Sequence, residues 1–185
     1  MNKIFAFAPV AAWVLLLGCG GGGGTSSVPA TSIYYSNPGG SGWRLLKDAS
    51  STDTRLVLSL VGPASATASG VALTLQASDT QVTYAKFSDG TYIQDGGTFK
   101  LYATYTDEPQ LLAGGVKNGQ LTLGAFQKNG TTAVACGSSL LKFALEIPDG
   151  AMTGRVPLTI VKAQMLDAAG TLQTISVSAG TLKLK

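Results

Sequence analysis

Residues 33–185 read as short runs in which apolar side chains recur at every second position. In the run Arg55–Val61, Leu56, Leu58 and Leu60 share one face. Val71, Leu73 and Leu75 alternate with Ala72, Thr74 and Gln76, and Phe99, Leu101, Ala103 and Tyr105 with Lys100, Tyr102 and Thr104. The same rhythm returns at Leu121, Leu123 and Ala125, and at Leu141, Phe143, Leu145 and Ile147. A period of two belongs to strands with one buried face. The spacing predicts further strands at Trp43–Leu46, Val82–Phe87, Ala133–Cys136, Leu158–Leu166, Leu172–Val177 and Leu182–Leu184. No segment of helical length carries a clean 3.6-residue stripe. Turn chemistry separates the runs: Asn118-Gly119 and Asn129-Gly130 suit tight hairpins, and Asp89-Gly90, Asp95-Gly96-Gly97, Asp149-Gly150 and Ala169-Gly170 read as further turns. The expected fold class is all-β. Inward rows on so many strands need a partner surface, which a two-sheet antiparallel β-sandwich supplies within one domain.

The first nineteen residues follow a different pattern. Lys3 precedes an uncharged, mostly apolar run from Ile4 to Leu17, the length of a signal-peptide core and too short to span a bilayer. Leu16-Leu17-Gly18-Cys19 resembles the lipobox of bacterial lipoproteins. That resemblance implies removal of residues 1–18, acylation of Cys19 and attachment to the membrane, which two or three acyl chains make stable. Gly20 stands where Asp would signal inner-membrane retention, so the expected location is the outer membrane, on its periplasmic or cell-surface face. Residues 19–32 then read as the lipidated Cys and a Gly/Ser-rich tether, with the sandwich over 33–185.

Composition narrows the chemistry. Charged residues are 12% of the chain, about half the usual share, while Ser and Thr number 36, so hydroxyl and backbone must solvate the surface. No two basic residues are adjacent, which argues against a nucleic-acid partner. His is absent, and with it the commonest general base and metal ligand. No cofactor or metal is expected, and the protein is not expected to be an enzyme.

The residues that remain candidates are few. Cys136 lies in a small apolar run and reads as a buried structural thiol. Asp107-Glu108 is the one adjacent acidic pair and carries the alternative of a hydrolase using loop carboxylates. Asp89 and Asp95 have oxygen ligands to offer calcium but not the EF-hand spacing, so they read first as turn residues. By alternation Tyr102 and Phe126 project outward, where an aromatic is a candidate contact for sugar or protein, and Trp43 with Tyr34-Tyr35 is placed beside them.

The last third of the chain resembles the C-terminal part of a cohesin domain, a jelly-roll β-sandwich. The resemblance is carried by Leu141-Lys142-Phe143-Ala144-Leu145-Glu146-Ile147, then Gly154-Arg155-Val156-Pro157-Leu158-Thr159-Ile160, Leu166-Asp167-Ala168-Ala169-Gly170 and Ser178-Ala179-Gly180-Thr181-Leu182-Lys183-Leu184. Where cohesins end an early strand in Asp-Pro, this chain has Ala77-Ser78-Asp79-Thr80. Cohesins bind dockerin modules. The resemblance therefore implies a non-catalytic module for protein–protein binding or scaffolding at the cell envelope, with a carbohydrate-binding module as the alternative.

Overall fold

Leucine rows decide where the strands lie. In β3 (Arg55–Val61), Leu56, Leu58 and Leu60 stand opposite Leu145, Phe143 and Leu141 of β11 (Leu141–Glu146), all at most 1% exposed. Each fully buried side chain of this kind contributes about 1.5–3 kcal/mol. In β5 (Gly70–Ala77), Val71, Leu73 and Leu75 face Ala125, Leu123 and Leu121 of β9 (Gln120–Phe126) in the same way. Both sets belong to one apolar core, so the two sheets pack face to face.

The computed structural model describes residues 28–99, 110–113, 116–127 and 133–185. Among these there are sixteen strands and no helix. A six-stranded sheet runs β15 (Val177–Ser178), β2 (Trp43–Lys47), β3, β11, β6 (Thr83–Ala85), with β7 (Gln94–Asp95) also on β11. The second sheet runs β14 (Leu172–Thr174), β13 (Leu158–Leu166), β5, β9, β8 (Gln110–Ala113). A three-stranded sheet, β1 (Ile33–Ser36), β16 (Thr181–Leu184), β12 (Gly154–Val156), closes one side, and β4 (Thr67–Ala68) pairs β10 (Val134–Ala135). The pairings are antiparallel except β15 with β2.

Proline and glycine direct the crossings. Pro157 has no N–H to give a ladder, and at that residue the chain leaves β12 for β13 in another sheet. At the Asn118-Gly119 turn both residues have positive φ (52° and 72°), and Lys117 and Gln120 exchange two 2.9 Å backbone hydrogen bonds, a type I′ hairpin as the sequence predicts. The run Leu172–Val177 is not one strand. It breaks at Ile175, so that β14 extends the five-stranded sheet and β15 the six-stranded one.

Two tyrosines tie the layers. The Tyr84 hydroxyl accepts from the Ala77 N–H (3.0 Å) and lies 3.1 Å from the Leu75 carbonyl and 3.2 Å from that of Gly119, reaching from β6 into the opposite sheet. Tyr35 donates to the Leu45 carbonyl (3.0 Å) and accepts from the Gly180 N–H (2.6 Å). The segment expected as tether is partly docked: Ala30 N–H donates to Ala151 (2.8 Å), Thr153 N–H to Val28 (2.9 Å), and Thr31 and Ser32 N–H both donate to the Lys185 carbonyl (2.7 and 2.9 Å).

Candidate functional site

The candidate aromatics separate. Trp43 does not project outward. It is only 9% exposed, its ring lies against Gly62, and that glycine also abuts Cys136. The reason is register: Trp43 shares the inward row of Leu45, while Arg44 and Leu46 take the outward one. Tyr35 likewise turns inward, whereas Tyr34 is 46% exposed. Phe126 does face outward, half-buried, from a strand whose Leu121, Leu123 and Ala125 are inward. Tyr102, Cys19, Asp107, Glu108 and the Asn129-Gly130 turn lie outside the described residues.

Cys136 is fully buried, and desolvation pushes its thiol up to about 11, the environment of a structural cysteine. Asp89 is a turn residue. Its carboxylate accepts from the Thr91 N–H (2.9 Å) and hydroxyl (2.8 Å), bonds that hold it below the usual carboxylate range. Asp95 belongs to β7. Among the described residues no three His, Cys, Asp or Glu side chains gather to hold a metal.

The two sheets differ in their outer faces. On the six-stranded sheet two ion pairs lie across the outer face. Asp48 pairs with Lys142 (2.8 Å) and accepts from Ser50 and Ser59, while Arg55 pairs with Glu146 and covers Phe87 at 5.3 Å. Burial raises the Asp48 carboxyl, but hydrogen bonds from Lys142 and Ser50 outweigh it and hold the group far below its ordinary value. Beneath this layer Val57, Ala85 and Ala144 are buried.

Among the described residues the outer face of the five-stranded sheet is weakly charged and is exposed at Gln76, Thr122, Thr159 and Lys162. Its register sets outward rows Thr159–Gln76–Gln120, Lys162–Thr74–Thr122, Gln164–Ala72–Gly124 and Leu166–Gly70–Phe126. Lys162 is the one charged residue in these rows. The Thr74 and Thr122 hydroxyls lie 3.0 Å apart. Toward the other end the face turns apolar: the Phe126 ring lies over Gly70 and Gly124, and Leu172, 59% exposed, stands beside Leu166. A side chain at Gly70 would meet that ring at 2.2 Å, so the glycines make its seat. Low charge density with an apolar and aromatic end is the composition of a protein-interface core.

Two open clefts border this sheet. One, of about 480 Å³, is lined by Ile160–Ala163 and Thr174–Val177, where Val161 forms a bulge. The other, of about 390 Å³, is lined by Arg155–Thr159 and Ala179–Leu182. Neither lining includes a carboxylate or a thiol, so neither offers an acid–base pair.

No family model matches the chain, and no curated protein sequence matches it. Solved structures do. The sixth cohesin of scaffoldin B from Acetivibrio cellulolyticus, solved in complex with a Cel5 dockerin, is similar at TM-score 0.55 and 11% identity, over 77% of this chain and 97% of that one. A type II cohesin domain from the cellulosome of the same organism matches at TM-score 0.55 and 11% identity, over 78% and 95%. Type II cohesin A11 from Bacteroides cellulosolvens matches at TM-score 0.54 and 11% identity, over 76% and 97%. At such identity the likeness speaks for the fold, and the fold is a cohesin-like, all-β sandwich.

Proposed function

We propose that the chain is a lipid-anchored protein of the bacterial cell envelope, held through Cys19, whose sandwich is a non-catalytic module for binding another protein. The observation that carries this reading is the outward face of the five-stranded sheet, which among the described residues is nearly uncharged, exposed at Gln76, Thr122, Thr159 and Lys162 and apolar at the Phe126–Leu172 end, while the opposite sheet carries two ion pairs across its outer face. A fold shared with a cohesin solved in complex with a dockerin supports it. The leader and the Leu16–Cys19 motif support the anchor and an outer-membrane location.

Site-specific photocrosslinking in the native cell tests the face. A crosslinker in place of Gln76 or Thr122 is expected to give a discrete protein adduct, and one in place of Leu46 on the opposite sheet is not. Adducts from Leu46 alone would overturn the assignment. The carbohydrate-binding alternative rests on Phe126 as the outward aromatic, and saturable polysaccharide binding lost in Phe126→Ala would favour it. The hydrolase alternative requires Asp107 or Glu108, and turnover surviving replacement of both by Ala would remove it.

A further inference from the structure

Strand pairing assembles a basic face that chain order conceals. Lys183 and Lys185 are two residues apart, so the strand period sends both to one side of the three-stranded sheet. Pairing then sets Arg155 of β12 and Tyr34 of β1 on either side of Lys183, making one cross-strand row Arg155–Lys183–Tyr34. Lys185 Nζ sits 4.3 Å from the centre of the Tyr34 ring. All four residues are exposed, while the alternate positions Ile33, Tyr35, Val156, Leu182 and Leu184 are buried beneath them. Among the described residues the ion pairs are Arg55–Glu146 and Lys142–Asp48, so none of these three cations is spent on a carboxylate there.

The chain enters the domain at this same place. Val28–Ser32 is hydrogen-bonded to Ala151, Thr153 and Lys185 and leads directly into β1. Nine residue steps separate Cys19 from Val28, a span of at most about 30 Å when fully extended. We propose that this face, Tyr34, Arg155, Lys183 and Lys185, seats the sandwich against an anionic phospholipid surface. The inference rests on the lipid anchor proposed above and adds an orientation to it. An amphipathic tyrosine flanked by cations is the side-chain set suited to a headgroup layer, and the short lead from Cys19 keeps the bilayer within reach.

Each cation near an anionic surface changes the partition about fivefold, so the three together are worth on the order of 100-fold between seated and unseated states. The test uses the full lipoprotein carrying Tyr34→Trp, reconstituted in phosphatidylcholine vesicles with or without phosphatidylglycerol, with a lipid bearing a nitroxide near its headgroup as quencher. Strong quenching is expected in the anionic vesicles. It should weaken in neutral vesicles or high salt, and fall to the level of a Thr122→Trp control when R155E, K183E and K185E are combined. Equal quenching in neutral and anionic vesicles, or quenching unmoved by the charge reversals, would overturn the proposal. Flotation and the mass of the Cys19 peptide are read on the same sample. An unacylated Cys19 overturns anchor and seating together, whereas floated, acylated protein with an unquenched probe overturns the seating alone.

Discussion

Replacing Tyr84 by Phe removes one oxygen from between the sheets and leaves the ring that fills the space. The Ala77 N–H, 3.0 Å from that oxygen in the parent, loses its acceptor at a buried position, which costs about 1–3 kcal/mol. The bond donated toward the carbonyls of Leu75 and Gly119 contributes about 1 kcal/mol more. A loss of about 2–4 kcal/mol corresponds to a fall of about 4–16 °C in Tm for a domain of this size. Thermal unfolding followed by far-ultraviolet circular dichroism at neutral pH measures it. The same variant carries a pH signature. Burial, opposed by the Ala77 bond, pushes the Tyr84 hydroxyl up to about 12, while in the unfolded chain it titrates near its ordinary value of 10.0. The folded state therefore keeps the proton longer. The stability this contributes is fully present below about pH 10 and is lost as pH rises toward about 12. Tyr84→Phe should show a shallower alkaline decline than the parent. A Tm unchanged at neutral pH, or an alkaline limb of equal slope in both proteins, would refute the idea that this hydroxyl joins the layers.

Three further outcomes follow from named contacts. Asp48→Asn should cost about 1–2 kcal/mol at pH 7 by weakening the bond to Lys142; because the parent carboxyl is held low, its contribution is present above about pH 4 and lost as pH falls, so acid titrations of parent and variant should converge. Gly70→Ala should cost about 1–3 kcal/mol because its Cβ falls 2.2 Å from the Phe126 ring, and adding Phe126→Ala should cost much less than the sum, as a double-mutant cycle in urea would show. The Cys136 thiol, buried and pushed up to about 11, should react very slowly with an aromatic disulfide reagent at pH 8 and completely in denaturant; rapid labelling of the folded protein would contradict its burial.

Strand alternation was the legible part of this chain. Leu56–Leu60 and Leu121–Ala125 display their period to any reader because each occupies a seven-residue strand long enough to repeat it, although β3 is buried on both faces. Asn118-Gly119 announced its turn because both residues must take positive φ. Short strands such as β4, β7 and β12, of two or three residues, hold too little of a period to register. The inward place of Trp43 is hard to read because its alternation with Leu45 is a single step long, too short to show which side is buried. The basic row was invisible for another reason: Arg155 and Lys183 are twenty-eight positions apart, and only pairing through β16 makes them neighbours. The outward face of the five-stranded sheet was half legible, since alternation gives Thr74 and Thr122 their side of the strand but not their meeting across it.

In its sheet β1 pairs with a single strand, β16, so Ile33 waits for Leu184 and Ser36 for Thr181. A polypeptide delivered amino end first cannot finish this ladder until Thr181–Leu184 arrive, about 150 residues after β1. Closing a loop of that size also carries an entropic toll that slows assembly. The domain is therefore committed to a late, nearly all-at-once completion. Until then the apolar inner sides of Ile33 and Tyr35 lack the cover that Leu182 and Leu184 bring, and the incomplete chain exposes grease that the finished one hides.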